Sequence, residues 1–122
     1  MIVAVPKETY PGERRVALTP DVAPALAKCG VEVRIECGAG LAASYPDEAY
    51  EAKGAVVEGD RAALFEAADV IAQVRGLAPA DLELMREGQA IIAFLEPLSE
   101  PAASQTASQL GVTAFSMELM PR

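Results

Sequence analysis

The segment "KETYPGERRVALTPD" (residues 7–21) places Lys7, Arg14 and Arg15 in one short stretch. A guanidinium can grip a carboxylate, a carboxamide oxygen or a phosphate through two parallel N–H bonds, and an ammonium adds a point charge. The chemistry on offer is anion binding. The stretch also carries its own acids, Glu8, Glu13 and Asp21, so the same cations could equally pair on a solvated surface, where ion pairs are common and weak. From residue types alone the two readings stand level.

Three further positions could join such a site. Gln73 and Arg75 close the apolar run "VIAQVR", and Glu96 follows "AIIAFL". A basic loop, an arginine and a carboxylate at neighbouring strand ends would suit a small, polar, charged molecule. Glu96 alone could also be an ordinary acid ahead of a helix starting at Ser99. "GAGLAA" (38–43) fits the loose pattern G-x-G-x-x-A, which holds a pyrophosphate when its glycines open a helix. Here Ser44-Tyr45-Pro46 interrupts any such helix, which favours a tight structural loop.

Composition removes several classes of chemistry. The 122 residues contain no histidine, so histidine-based acid–base catalysis and histidine metal sites are excluded. Cys29 and Cys37 are too few for a disulfide framework, and no carboxylate-rich loop suggests a metal ion. A net charge of -8, from 18 acids against 10 bases, argues against nucleic acid as a partner. "MIVAVPKETY" lacks the basic leader of a signal peptide, and no apolar run is long enough to span a bilayer. The expectation is a cytoplasmic domain.

The elements that must position these residues alternate regularly. Strands are expected at 2–5, 31–36, 55–57, 70–74, 90–95 and 112–115. Helices are expected near 19–28, 44–54, 60–67, 79–86 and 99–110. Pro24 favours a late start for the first helix, with Asp21 as N-cap, because a proline deeper in the helix would remove a hydrogen bond. Strands separated by helices imply right-handed crossovers and a largely parallel sheet. The expected fold is a single α/β domain over 1–122 with three layers and helices on both faces, doubly wound in the flavodoxin-like manner. Ligands of such sheets bind beyond the carboxyl ends of the strands, where Lys7, Arg14, Arg15, Gln73, Arg75 and Glu96 gather.

The stretches "VPKE…PGERRVALTP", "GVEVRIECGAG", "YEAKGA", "ADVIAQVR", "FLEPL" and "GVTAFSMELMPR" together resemble the N-terminal segment shared by alanine dehydrogenases and the alpha subunit of nicotinamide nucleotide transhydrogenase. The resemblance runs in order along the whole chain, with "RRVALTP" and "MELMPR" its most specific parts. It implies that Arg15 faces an interdomain cleft and that Arg122 opens a loop approaching the nicotinamide end of NAD(H); Arg15, Gln73 and Arg122 are the expected cofactor-binding residues, and Arg15, Arg75 and Glu96 the expected substrate-binding ones. In alanine dehydrogenases the counterpart of Arg15 holds the substrate carboxylate, a catalytic His follows the fifth strand and a Lys lies just past the fourth. Those last two places are taken here by Glu96 and Arg75, which favours the transhydrogenase branch.

In that branch the resemblance implies hydride transfer from NADH to NADP+ held on a separate domain or subunit, coupled to proton translocation through membrane segments of partner subunits. It further implies a cytoplasmic location peripheral to the membrane, a homodimer in the full assembly, and a Rossmann domain for NAD that these residues do not include. Hydride transfer between two rings requires no side-chain base, so no catalytic residue is expected, and the chain alone is expected to be inactive. The alternatives are a fragment of an alanine dehydrogenase-like oxidoreductase and a non-enzymatic binding or dimerisation module.

Overall fold

A computed structural model of the chain describes residues 1–94 and 110–117. The expected helix at 99–110, Glu96 and Arg122 therefore lie outside the described residues. Six strands form one sheet: β1 (Ile2–Val5), β2 (Glu32–Glu36), β3 (Val56–Glu58), β4 (Val70–Arg75), β5 (Ala90–Phe94) and β6 (Thr113–Ser116). Every neighbouring pair is parallel.

The strand order is β3-β2-β1-β4-β5-β6. The three-layer parallel architecture is the expected one, but this order belongs to dinucleotide-binding doubly wound sheets and not to flavodoxin-like ones, where β3 would lie beside β1. The reason is the crossover helix α3 (Arg61–Ala67), which touches β3, β2 and β1 and delivers the chain to β4 on the far side of β1. The order reverses between β1 and β4. That switch point is where such sheets open a crevice at their carboxyl edge.

Alternation along the strands divides the core in two. On one face Val5, Val33 and Ile35 pack under α1 (Val22–Ala27) and α2 (Asp47–Ala52) through Ala23 and Tyr50. On the other, Ala4, Ile71, Ile91 and Ala93 pack under α3 and α4 (Pro79–Leu82) through Leu64, Phe65 and Leu82. The buried Gln89 fastens β5 to the end of α3: its Nε2 donates to the carbonyls of Phe65 (2.6 Å) and Ala68 (2.9 Å). Its Oε1 accepts from the Arg86 amide at 2.7 Å, so both ends of the side chain are satisfied.

Local chemistry sets the element ends. α1 starts after Asp21, as Pro24 requires, although the Asp21 side chain makes no capping bond. Asp60 does cap α3, accepting from the amides of Ala62 (3.0 Å) and Ala63 (3.4 Å). The expected helix at 44–54 begins only at Asp47, because the residue ahead of a proline avoids helical geometry and Pro46 itself takes the N-cap position. Residues 41–43 form a separate 3-10 turn ending at Ser44, which is left-handed at φ 72°. α4 is shorter than the expected 79–86, ending at Leu82.

Candidate functional site at the carboxyl edge of the sheet

The loop after β1 folds back across the switch point and is held there by its own acids. Near the end of β4 the pairing with β5 shifts register between Ala72 and Arg75, a bulge of the kind that re-aims side chains beside functional sites. Glu8 takes the two amides at that irregularity, accepting from Val74 and Arg75 at 3.0 Å each. Burial pushes the Glu8 carboxyl up from its ordinary value, and the two N–H bonds oppose the rise.

Glu13 sits between two guanidinium groups. Its carboxylate accepts from Arg15 Nη2 at 2.7 Å and Nε at 2.9 Å, and from Arg75 Nε at 3.0 Å. The Arg15 side chain beside it, aided by the Arg15 amide, holds the Glu13 carboxyl far below the usual carboxylate range. Arg75 also stacks over the Tyr10 ring, 4.5 Å from its centre. The Glu13 side chain is only 5% exposed, whereas that of Arg15 is 62% exposed. The paired acid is thus closed off while one side of the Arg15 guanidinium stays open to solvent.

The structure brings Arg15 and Arg75 together through Glu13, and it makes Arg15 and Gln73 part of one groove over the sheet. Gln73 is buried, 6% exposed, and its Oε1 has no hydrogen-bond partner. Arg14 and Lys7 are exposed; Lys7 contributes its backbone, donating from its amide to Glu36 at 2.5 Å. A cavity of about 200 Å3 on the rim is lined by Lys7, Glu8, Glu13, Arg15 and the start of the glycine loop. The pairing expected within the loop is seen for Arg15 with Glu13, whereas Asp21 pairs with Lys53 (3.6 Å), outside the loop, and the Arg15 side chain stays largely exposed.

A second cluster went unnoticed in the sequence. Arg61, at the start of α3, grips Asp81 with Nε and Nη2 (2.8 and 2.7 Å) and Glu36 with Nη1 (2.5 Å). Nη1 also donates to the Lys7 carbonyl at 3.2 Å. This unit knots the ends of β1 and β2 to α3 and α4. The available signal was an acid, Glu36, closing an alternating strand, but its partner lies 25 residues away.

The glycine loop proves to be scaffold. A Cβ on Gly40 would fall 2.7 Å from both the Tyr45 carbonyl and the Tyr50 ring. Glycine is required there for close approach, so that Tyr50 can donate its hydroxyl to the Leu18 carbonyl at 2.8 Å. Burial pushes the Tyr50 hydroxyl up to about 12. The Gly38 amide, a donor that a pyrophosphate would need, is bonded to Asp47 at 2.9 Å. Asp47 also accepts from the Cys37 thiol at 3.0 Å, which lowers the acid and raises the thiol. Among the described residues no group of three or more Cys, Asp or Glu side chains could hold a metal ion, and no helix is long and apolar enough to cross a membrane.

Comparison with known proteins agrees with this fold. Residues 4–122 match the family model "Alanine dehydrogenase/PNT, N-terminal domain". The chain is 43% identical over its full length to the NAD(P) transhydrogenase subunit alpha of Cereibacter sphaeroides, covering 23% of that protein. It is 36% identical to the alanine dehydrogenase of Bacillus subtilis, with 97% of this chain matched to 31% of that one. Among solved structures, the transhydrogenase from Sinorhizobium meliloti superposes with a TM-score of 0.94 at 38% identity, covering all of this chain and 36% of the other. The chain spans about a quarter to a third of the length of these relatives.

Proposed function

The chain belongs to the alanine dehydrogenase/PNT N-terminal domain family, and we propose that it serves as the N-terminal domain of an NAD(P) transhydrogenase alpha subunit, forming one wall of the NAD(H) cleft. The observation that carries this reading is the state of the acids on the rim: Glu8 and Glu13, the carboxyls that line the cavity, are both committed, and neither is a free base. Glu13 is locked between Arg15 and Arg75 and held strongly acidic, Glu8 is bonded to two amides, and the chain has no histidine. Oxidation of an amino acid needs a group to take its proton. Transfer of a hydride between two nicotinamide rings needs only close, oriented, water-poor contact, which a wall of mutually neutralised charges and apolar surface supplies.

The rim cavity of about 200 Å3 is smaller than the ~300–1,000 Å3 usual for a drug-sized ligand, and a dinucleotide is larger still. The cavity fits one side of a shared cleft, with the rest supplied by a separate nucleotide-binding domain. NAD(H) supplies the hydride when bound. The open face of Arg15 is the group on this wall that would meet it, together with Arg122, which lies outside the described residues. Arg75 and Glu96 stand at the places that serve substrate in the dehydrogenase branch; here Arg75 fixes Glu13 and, through it, Arg15. The assembled protein would act with NADP(H) on another domain, as a homodimer attached to the membrane through partner subunits that carry the protons.

The test is a direct comparison of two reactions in the longer subunit with its partners: oxidation of NADH by an NADP+ analogue, and reduction of NAD+ by alanine. The expected result is the first activity without the second. Alanine-dependent NADH formation as the main activity would move the chain to the dehydrogenase branch.

A further inference from the structure

Glu8 stands where two sets of contacts meet. Its neighbour Lys7 is fixed by its backbone: the amide donates to Glu36 at 2.5 Å, and the carbonyl accepts from Arg61 Nη1 at 3.2 Å. Glu8 therefore leaves a rigid point and reaches across to β4. Registered pairing of β1 with β4 ends at Ala4 and Ile71, so the amides of Val74 and Arg75 lie beyond the last rung. Each carboxylate oxygen of Glu8 takes one of them, at 3.0 Å. The side chain continues the ladder that β1, stopped by Pro6, no longer supplies.

What this clip holds is the base of Arg75. Pairing of β4 with β5 shifts register between Ala72 and Arg75, so regular pairing alone does not set the direction of the arginine. Its guanidinium runs back to the loop that carries Glu8. Nε donates to Glu13 at 3.0 Å, and the group lies 4.5 Å from the centre of the Tyr10 ring. Tyr10 and Glu13 are the first and last residues of one tight turn, closed by the Glu13 amide on the Tyr10 carbonyl (3.1 Å), with Gly12 at φ 83°. Arg75 thus grips both ends of the turn, and Glu13 in its turn holds Arg15 through Nε and Nη2. Burial disfavours the ionised form of Glu8 even with both amide bonds made. A carboxylate kept against that pressure is explained by what it holds.

We propose that Glu8 is a positioning residue for Arg15: by fixing the two amides at the end of β4 it aims Arg75 at the 10–13 turn, and the turn presents Glu13 to keep the Arg15 guanidinium in one direction. The inference rests on the reading above that Arg15 meets NAD(H), and it extends that reading from the group that touches the cofactor to the one that orients it. An arginine whose side chain is more than half exposed would otherwise sample many rotamers and lose that freedom on binding. Glu8 itself makes no contact with the cofactor in this scheme.

The positioning is read first in the 122-residue chain, by hydrogen exchange of the arginine Nε–H groups followed by NMR. In wild type the Nε–H groups of Arg15 and Arg75, both bonded to Glu13, should be protected. Glu8→Ala should speed the exchange of both by roughly tenfold, and Glu8→Gln, which keeps one acceptor oxygen for the two amides, by less. Arg61 is the internal control: its Nε–H is bonded to Asp81 at 2.8 Å in the neighbouring cluster and should keep its rate. Unchanged rates at Arg15 and Arg75 would overturn the proposal. So would equal acceleration at all three arginines, which would mean a general loosening of the fold.

Function is read in the longer subunit with its partners, as hydride transfer from NADH to an NADP+ analogue. Glu8→Ala should raise KM for NADH about threefold with kcat little changed, because a binding group has lost its direction. In an Arg15→Ala background the same substitution should add nothing, since it acts through Arg15. An equal rise in that background, or no rise from Glu8→Ala while Arg15→Ala alone raises KM, would overturn the proposal and leave the transhydrogenase reading intact. If Arg15→Ala itself leaves KM unchanged while both arginines loosen in the chain, the positioning stands and the placing of Arg15 against NAD(H) falls.

Discussion

Two arginine–carboxylate clusters stand side by side on the carboxyl edge of the sheet, built from the same groups and put to different uses. Around Arg61 everything is enclosed: its side chain is 21% exposed, and those of Glu36 and Asp81 are 15% and 10% exposed. Around Glu13 the acid is enclosed and the arginine is not, with Arg15 62% exposed. Enclosure on all sides makes a rivet between elements. Enclosure of the acid alone makes a fixed arginine with a face to spare, because the buried partner holds the guanidinium in place without consuming it. The position of a charge cluster on a strand edge is thus a poor guide to function; which partner remains open is a better one.

That contrast can be broken most forcefully at Arg61. Arg61→Ala leaves two part-buried carboxylates facing each other and should cost roughly 3 kcal/mol of folding stability, read by urea unfolding of the chain. A cost comparable to that of an ordinary surface substitution would show that this cluster is no rivet. Next in size is Gly40→Ala. The added methyl meets the Tyr45 carbonyl and the Tyr50 ring, and overpacking of that kind should cost about 2 kcal/mol. Weakened NADH binding by the subunit with unchanged stability would instead make the glycine loop part of a nucleotide site.

Acidification separates the two acids of the rim. The folded pKa of Glu13 is depressed, so its contribution is present above the unfolded value near 4.5 and is lost as pH falls from there towards the folded pKa. Glu8 is raised, so it favours the folded state below its unfolded value and loses that contribution as pH rises through the folded one. Melting temperatures from pH 7 to pH 3 should fall less steeply for Glu13→Gln than for wild type, and more steeply for Glu8→Gln. Matching slopes for all three would mean that neither carboxyl senses the pairing seen here. A smaller effect on folding belongs to Arg15→Ala, which removes one of the two guanidinium partners of an enclosed carboxylate and leaves Arg75: Tm of the chain should fall by about 4 °C.

The strands were legible because runs such as "IVAV" and "AIIAF" are apolar, β-branched and stopped by proline, glycine or charge. Asp21 and Asp60 could be read as helix starts from Pro24 and from the spacing to the next apolar residue. What the sequence did not show is long-range. The pairing of Arg75 with Glu13 spans 62 positions and that of Arg61 with Asp81 spans 20, and both depend on β1 lying beside β4. The strand order itself turns on where one crossover helix lands, and local propensity is silent on that. "GAGLAA" resembled a phosphate loop because glycine serves close approach in both; only the position of Tyr50 shows what approaches.

In the proposed function Arg15 lines one wall of a cleft that another domain completes. Titration of NADH into the longer subunit, wild type against Arg15→Ala, tests it most directly, with the 122-residue chain as control. The variant should bind about tenfold more weakly, a loss of ~1.4 kcal/mol, while millimolar NADH leaves the melting temperature of the chain unchanged. Equal affinity in the two subunits, or a clear rise in the melting temperature of the chain alone, would contradict it.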